Sequence, residues 1–211
     1  MISGRRIAVL VLAGALWLAG VGWGLNLLFR YSGTPGDPGR APESWPAATA
    51  IHPAARGATL VLTLHPHCPC SRATLDELDW IMARTGDRLT TVALFVIPPG
   101  LDEHWGRSDL WARAGAIPRT TPVLDPEGRE ARYFGAFTSG QVALYAPGGR
   151  LLFQGGLTDG RGEGGASVGR QAVLAAVTSG TPNLTTATYG CPLHDPASTH
   201  SWKAASCQKP R

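Results

Sequence analysis

The sequence predicts an α/β domain, a central mixed sheet flanked by helices, behind one N-terminal transmembrane helix. Three observations carry this expectation. An apolar run extends from Ile7 to Phe29, a strand-turn-helix-strand pattern lies between Thr59 and Ile97, and two apolar segments flank Gly148-Gly149. With 211 residues, 44% of them hydrophobic, the chain has material for one domain and an appendage but not for two domains.

Arg5 and Arg6 precede the first run, which only Asn26 interrupts. At 1.5 Å per residue it reaches roughly 34 Å, beyond the ~30 Å of a hydrocarbon core. A cleaved secretory leader would be shorter and end in a small-x-small site. Here Asn26-Leu27-Leu28-Phe29-Arg30-Tyr31 follows, so residues 7–29 read as a retained anchor in the lipid bilayer. The paired arginines hold residues 1–6 in the cytoplasm and place the rest in the periplasm or outside the cell, as a single-pass protein. Residues 30–48, with four prolines (35, 38, 42 and 46) and three glycines (33, 36 and 39), read as a tether without regular structure.

The folded domain is expected over residues 49–180. Thr59 to Leu64 is a continuous apolar run of buried-strand length, ended by His65-Pro66-His67. Leu75, Leu78, Ile81 and Met82 recur at helical spacing, and Gly86 sits where a helix ends, so Pro69 to Thr85 reads as a helix. Thr91 to Ile97 is a second buried strand, closed by Pro98-Pro99-Gly100, with a helix expected around Ser108 to Ala114. Pro122 to Asp125 reads as a short strand, and Gln141 to Tyr145 with Arg150 to Gln154 as a hairpin across the paired glycines. Gly155 to Gly169 reads as a loop, and a final helix through Gln171 to Val177 ends at Gly180. Residues 181–211 form an irregular tail holding Cys191, His194, His200 and Cys207.

Composition excludes one partner class. The net charge is +4, but the 19 basic residues form no runs and do not interleave with aromatic residues, so no nucleic-acid groove is expected. Asp76, Glu77 and Asp79 read as a solvated helix face.

Chemistry concentrates in His67-Cys68-Pro69-Cys70-Ser71. A turn between a strand and the following helix stands at the carboxyl edge of the sheet, where open α/β folds place their sites. With Cys68 as N-cap and Pro69 as first helical residue, the thiol meets free amide donors and the positive end of the helix dipole. Both favour the thiolate, lowering a pKa that is about 8.5 in a free cysteine. A protonated His67 would add to this. On the outer side of a membrane, the four cysteines 68, 70, 191 and 207 are also free to form disulfides.

The stretch Leu64 to Ala73 resembles the active-site segment of the TlpA/ResA-type extracytoplasmic thioredoxins, with Cys68 at the attacking position. Pro122 to Gly128, Tyr133-Phe134-Gly135, Val142 to Tyr145 and Gly148-Gly149-Arg150 resemble that family's second half. The His-Cys-Pro-Cys-Ser form, with Thr138-Ser139-Gly140 and Gly190-Cys191-Pro192-Leu193, is more similar to RedB-like proteins. The resemblance covers roughly residues 57–178 and the short tail motif. It implies a thioredoxin-like fold, thiol-disulfide exchange with extracytoplasmic protein thiols or disulfides, and no cofactor.

Two departures matter. The family's resolving cysteine, three residues after the attacking one, is replaced by Ser71, and at 100° per helical residue Cys70 points nearly opposite to Cys68. The family's cis-proline, which aligns substrate backbone, is replaced by Gly140. Alternatives therefore stay open. His65, His67, Cys68 and Cys70 offer imidazoles and thiolates suited to Cu(I) or zinc, and hence a copper-binding or copper-delivering module. Cys68 and Cys70 are expected as the catalytic pair, Cys70 resolving the mixed disulfide at Cys68 through a distorted turn, with Cys191 as the alternative; Cys191 otherwise reads as a disulfide partner of Cys207.

Overall fold

The protein is described from a computed structural model that covers residues 4–180 and 184–194. Helix α1 (Gly4–Ser32) has 29 residues, is apolar enough to cross a membrane, and has none of that span buried by the rest of the chain. This length and composition are compatible with a membrane anchor or a signal sequence.

Strands β1 (Ala58–Leu64), β2 (Leu89–Ile97) and β3 (Thr120–Pro126) run parallel. Strand β4 (Gln141–Tyr145) is antiparallel to β1, β5 (Leu151–Gly156) is antiparallel to β4, and β6 (Leu184–Thr185) pairs parallel with β5. The six strands lie in the order β3-β2-β1-β4-β5-β6. Helices α2 (Cys70–Thr85), α4 (Asp109–Ala116) and α6 (Val168–Ser179) accompany them, with the short helices α3 (Glu103–Gly106) and α5 (Arg129–Tyr133) in the connections.

Central β1 explains its own sequence. Leu60, Leu62 and Leu64 face Leu75, Leu78, Ile81 and Met82 of α2 and Val173 of α6, while Val61 faces a second cluster with Leu94, Phe134, Ala143 and Tyr145. A strand covered on both faces reads as an unbroken apolar run, not as an alternation.

Four features differ from the sequence expectation. Helices α3 and α5 are too short to show periodicity and are held by side chains: Asp102 accepts from the amide of Trp105 at 3.0 Å, and the buried Asp125 carboxylate accepts from Glu130 at 3.0 Å and Ala131 at 2.9 Å. Part of the expected irregular tail pairs with the sheet as β6. Glu77 is no solvated residue, because α6 and the preceding loop cover it: Arg170 pairs with it at 2.8 Å and the amide of Gly165 donates at 2.5 Å.

The fourth is the stretch expected as a loose tether. Its amides at Ala41 and Trp45 donate to the Gln154 side chain and the Gly149 carbonyl, both at 2.7 Å. The Trp45 ring packs edge-on against Phe134 at 5.2 Å and Tyr145 at 5.1 Å, and the Tyr145 hydroxyl donates to the Pro42 carbonyl at 3.1 Å. Proline prevents a helix or a central strand, yet an extended chain keeps its remaining backbone groups free to dock elsewhere.

Candidate functional site

Strand β1 stops at Leu64, and the chain turns through His65 to Cys68, whose amide donates to the His65 carbonyl at 3.1 Å. Pro69 already has helical dihedrals, φ −63° and ψ −28°, and the amides of Ser71 and Arg72 bond back to Cys68 at 3.1 Å and Pro69 at 3.3 Å. Cys68 thus stands two residues ahead of α2, at the sheet edge the sequence indicated, and Pro69 rather than Cys68 is the residue that caps the helix. Because it is outside the regular helix, the 100° rule does not separate it from Cys70. The thiol of Cys70 reaches the Cys68 sulfur, contrary to the expectation from helical spacing.

That sulfur is the focus of the site. Hydrogen bonds from the thiols of Cys191 and then Cys70 hold the Cys68 thiol far below its ordinary range; burial opposes them, and the Cys191 amide and Ser71 hydroxyl add to them. Cys70 and Cys191 are pushed upward, first because each donates its proton to Cys68 and next by burial, with the Arg161 charge pulling both partly back. The three sulfurs form one coupled cluster in which deprotonation is favoured at Cys68. All three are free cysteines; Cys68 is buried and the other two are half-buried.

The histidines are placed unequally. Burial pushes His65 below its ordinary value, offset in part by nearby Cys68, so it meets the thiolate as a neutral ring. His67 is turned away: its Nε2 donates to the Trp105 carbonyl at 3.0 Å, and its ring lies 4.6 Å from that of Trp105. Among the described residues, no three His, Cys, Asp or Glu side chains are set as ligands of one ion.

Opposite the cysteines runs Phe137 to Gly140. The Ser139 hydroxyl lies 2.9 Å from that of Ser71 and accepts from the His65 amide at 2.8 Å, so it ties the turn to this segment. Gly140 has φ +92°, outside the range of proline, and donates its amide to the Thr63 carbonyl at 2.8 Å, a bond proline lacks. Peptide bonds among the described residues are all trans. The site is therefore built with a glycine amide where the resemblance places a cis-proline.

The tail lies along this same segment. Ser139 donates to the Cys191 carbonyl at 2.8 Å, Leu193 donates to the Phe137 carbonyl at 2.9 Å, and Thr138 and Pro192 form an antiparallel bridge. A Cβ on Gly190 would stand 1.9 Å from the Ser139 carbonyl oxygen, so only glycine permits this approach. Arg161 donates to the Gly190 carbonyl from its guanidinium, and its amide donates to the Ser32 carbonyl at 3.0 Å. Sequence reasoning missed Arg161, and its one trace was a lone basic residue in a glycine-rich loop. Cys207 lies outside the described residues, as do residues 1–3 and most of the expected tail.

A strand-helix-strand unit, β1-α2-β2, followed by the β4-β5 hairpin and α6, with a cysteine at the β1–α2 turn, is a thioredoxin arrangement. The fold is thioredoxin-like. A crystal structure of a hypothetical protein from Sinorhizobium meliloti 1021 matches with 21% identity and a TM-score of 0.55, over 75% of this chain and 97% of that one. An uncharacterized conserved protein from Geobacillus kaustophilus matches with 16% identity and a TM-score of 0.55, over 79% of this chain and 93% of that one. The exposed lipoprotein thioredoxin of Streptococcus pneumoniae strain TIGR4 matches with 17% identity and a TM-score of 0.40, over 58% of this chain and 84% of that one. No protein-family model matches the sequence, and no curated protein matches it.

Proposed function

We propose that the chain is a membrane-anchored, extracytoplasmic thiol-disulfide oxidoreductase of the TlpA/ResA type, nearest the RedB-like group, acting on protein disulfides through Cys68. The observation that carries this reading is the place of Cys68, a free cysteine in the β1–α2 turn just ahead of the helix cap, with the free cysteines Cys70 and Cys191 beside it. A stabilised thiolate is both nucleophile and leaving group.

Cys68 attacks one sulfur of a partner disulfide. A Cys68–partner bond forms, the partner S–S bond breaks, and the departing sulfur keeps the electron pair and takes a proton. A second thiol of this chain, Cys70 or Cys191, then attacks Cys68 and releases the other partner sulfur as a thiol. The reverse sequence oxidises the partner. No cofactor is needed. Helix α1 is read as a retained anchor, with residues after Arg30 outside the cytoplasm, where such disulfides persist.

The test takes the full chain in detergent micelles, traps its thiols across a series of redox buffers, and titrates the reduced chain with Cu(I). A disulfide couple that disappears in Cys68→Ser supports the oxidoreductase. Unchanged redox behaviour in Cys68→Ser, with tight Cu(I) binding by wild type, replaces it with the copper module.

A further inference from the structure

The nucleophile of this reading is covered. Cys68 is 1% exposed, and Cys191, held by the Ser139 amide at 2.8 Å, stands against its sulfur. Exchange requires a partner sulfur to approach that atom directly, so Cys191 must leave before a partner arrives. The segment that carries it is held by a short set of contacts, beyond which His194 donates to the Ala136 carbonyl at 3.2 Å and its ring meets that of Phe137. Two backbone hydrogen bonds join it to Phe137 and Ser139, one contact from Arg161 holds Gly190, and Leu193 is its buried anchor. This is strand addition to a free backbone edge, the mode by which extended peptides bind and leave.

Cys70 is placed differently. It is the first residue of α2, joined to Cys68 only through Pro69, which is fixed at φ −63°. A bridge across that single proline cannot reach relaxed disulfide geometry without unwinding the helix start. Cys191 arrives on a separate strand and has no such constraint.

We propose that Cys191 is the resolving thiol, carried on a displaceable strap, Gly190 to Leu193, whose return to the Phe137–Ser139 edge expels the partner chain and delivers that thiol to Cys68. The inference rests on Cys68 as nucleophile. With the strap away, Cys68 forms a bond to one partner sulfur while the other leaves as a thiolate and is protonated. When the strap returns, Cys191 loses its proton to solvent beside the Arg161 charge and attacks Cys68. The Cys68–Cys191 bond forms, the mixed disulfide breaks, and the second partner sulfur takes up a proton. Two thiols of the chain are oxidised and one partner disulfide is reduced, with no other reagent.

The test uses the reduced full chain in micelles, with excess glutathione disulfide as the probe, alkylation at timed intervals, and peptide mapping after trypsin. Cys68 and Cys70 fall in peptide 57–72, Cys191 in 171–203 and Cys207 in 204–211. Peptide 57–72 joined to 171–203 is expected in wild type and in Cys70→Ser. In Cys191→Ser, glutathionylated 57–72 should persist about a hundredfold longer, because an intramolecular thiol at high effective concentration is gone. Gly190→Val, whose side chain meets the Ser139 carbonyl, should speed glutathionylation of Cys68 and slow the joining of the two peptides. Unchanged rates, or both rates falling together, overturn the strap. An internally bridged 57–72 in wild type, with resolution intact in Cys191→Ser, overturns the role of Cys191 but leaves Cys68 as nucleophile. If Cys68 takes no glutathione in any variant, the reading beneath it fails.

Discussion

Two irregular segments flank the domain, and they are attached by different forces. Residues 34–46 are fixed by apolar contact: Ala41 is buried, and Trp45 covers Phe134 and Tyr145. Residues 186–193 hold through backbone hydrogen bonds, the Thr186 hydroxyl on Gly156, one arginine and a smaller apolar contact, Leu193 against Val96, Ala131 and Ala136. Buried aromatic surface is expensive to expose, whereas hydrogen bonds to a strand edge exchange with water at little net cost. The first segment is therefore a permanent part of the domain. The second, which carries Cys191, is the segment that the proposed strap motion would release.

The largest effect that sharpens this contrast is on chemistry. Cys68→Ser should abolish exchange with a peptide disulfide while leaving the far-ultraviolet circular dichroism spectrum unchanged. Residual exchange above the protein-free rate would move the nucleophile elsewhere. Next comes Glu77, whose carboxylate ties α2 to Gly165 and Arg170 and so fixes the loop bearing Arg161. Glu77→Ala should lower unfolding free energy by about 3 kcal/mol, because it leaves the largely buried Arg170 cation with only the Trp80 ring and no carboxylate. Denaturation in micelles checks this, and a loss under about 1 kcal/mol would place the pair in water.

Trp45→Ala should cost about 2 kcal/mol, less than a fully buried tryptophan, with the exchange rate of Cys68 unchanged. If exchange falls as steeply as stability, the two segments are coupled and the contrast breaks. The smallest effect is a pH shift. Cys68 lies below its ordinary range through donors on Cys191 and Cys70, so its alkylation should stay near its plateau at about pH 6. Removing a donor raises the thiolate's energy. Cys191→Ala should therefore move the midpoint upward by about one unit or more, toward the ~8.5 of a free thiol. A midpoint that stays in place or falls would assign the stabilisation to the helix start.

What was legible in the sequence follows from how each part is built. Strands β1, β2, β4 and β5 and helices α2 and α6 carry their burial in their own periodicity or glycine signals, so they were visible. Cys68 was visible because a strand, a proline and a helix pattern place it locally. Of its companions, Cys191 was legible only as one of two alternatives, and Arg161 was not legible. Cys191 is brought in from the far side of the domain by pairing with Phe137 and Ser139, and Arg161 by a loop fixed through Gly165 and Arg170 to Glu77. No local pattern encodes such long-range contacts. The aim of Cys70, though not its place in the expected catalytic pair, was misread because a helical angle was applied to Cys68, which precedes the helix.

The aromatic cover at Trp45 also decides where a soluble fragment can begin. A piece cut at residue 48 discards Ala41, Pro42 and Trp45 together, strips the Tyr145 hydroxyl of its acceptor, and opens Phe134 to solvent. Such a fragment carries every described cysteine of the site and still exposes a sticky face. A cut between Ser32 and Thr34 keeps that face closed, and with it the protein's behaviour in free solution.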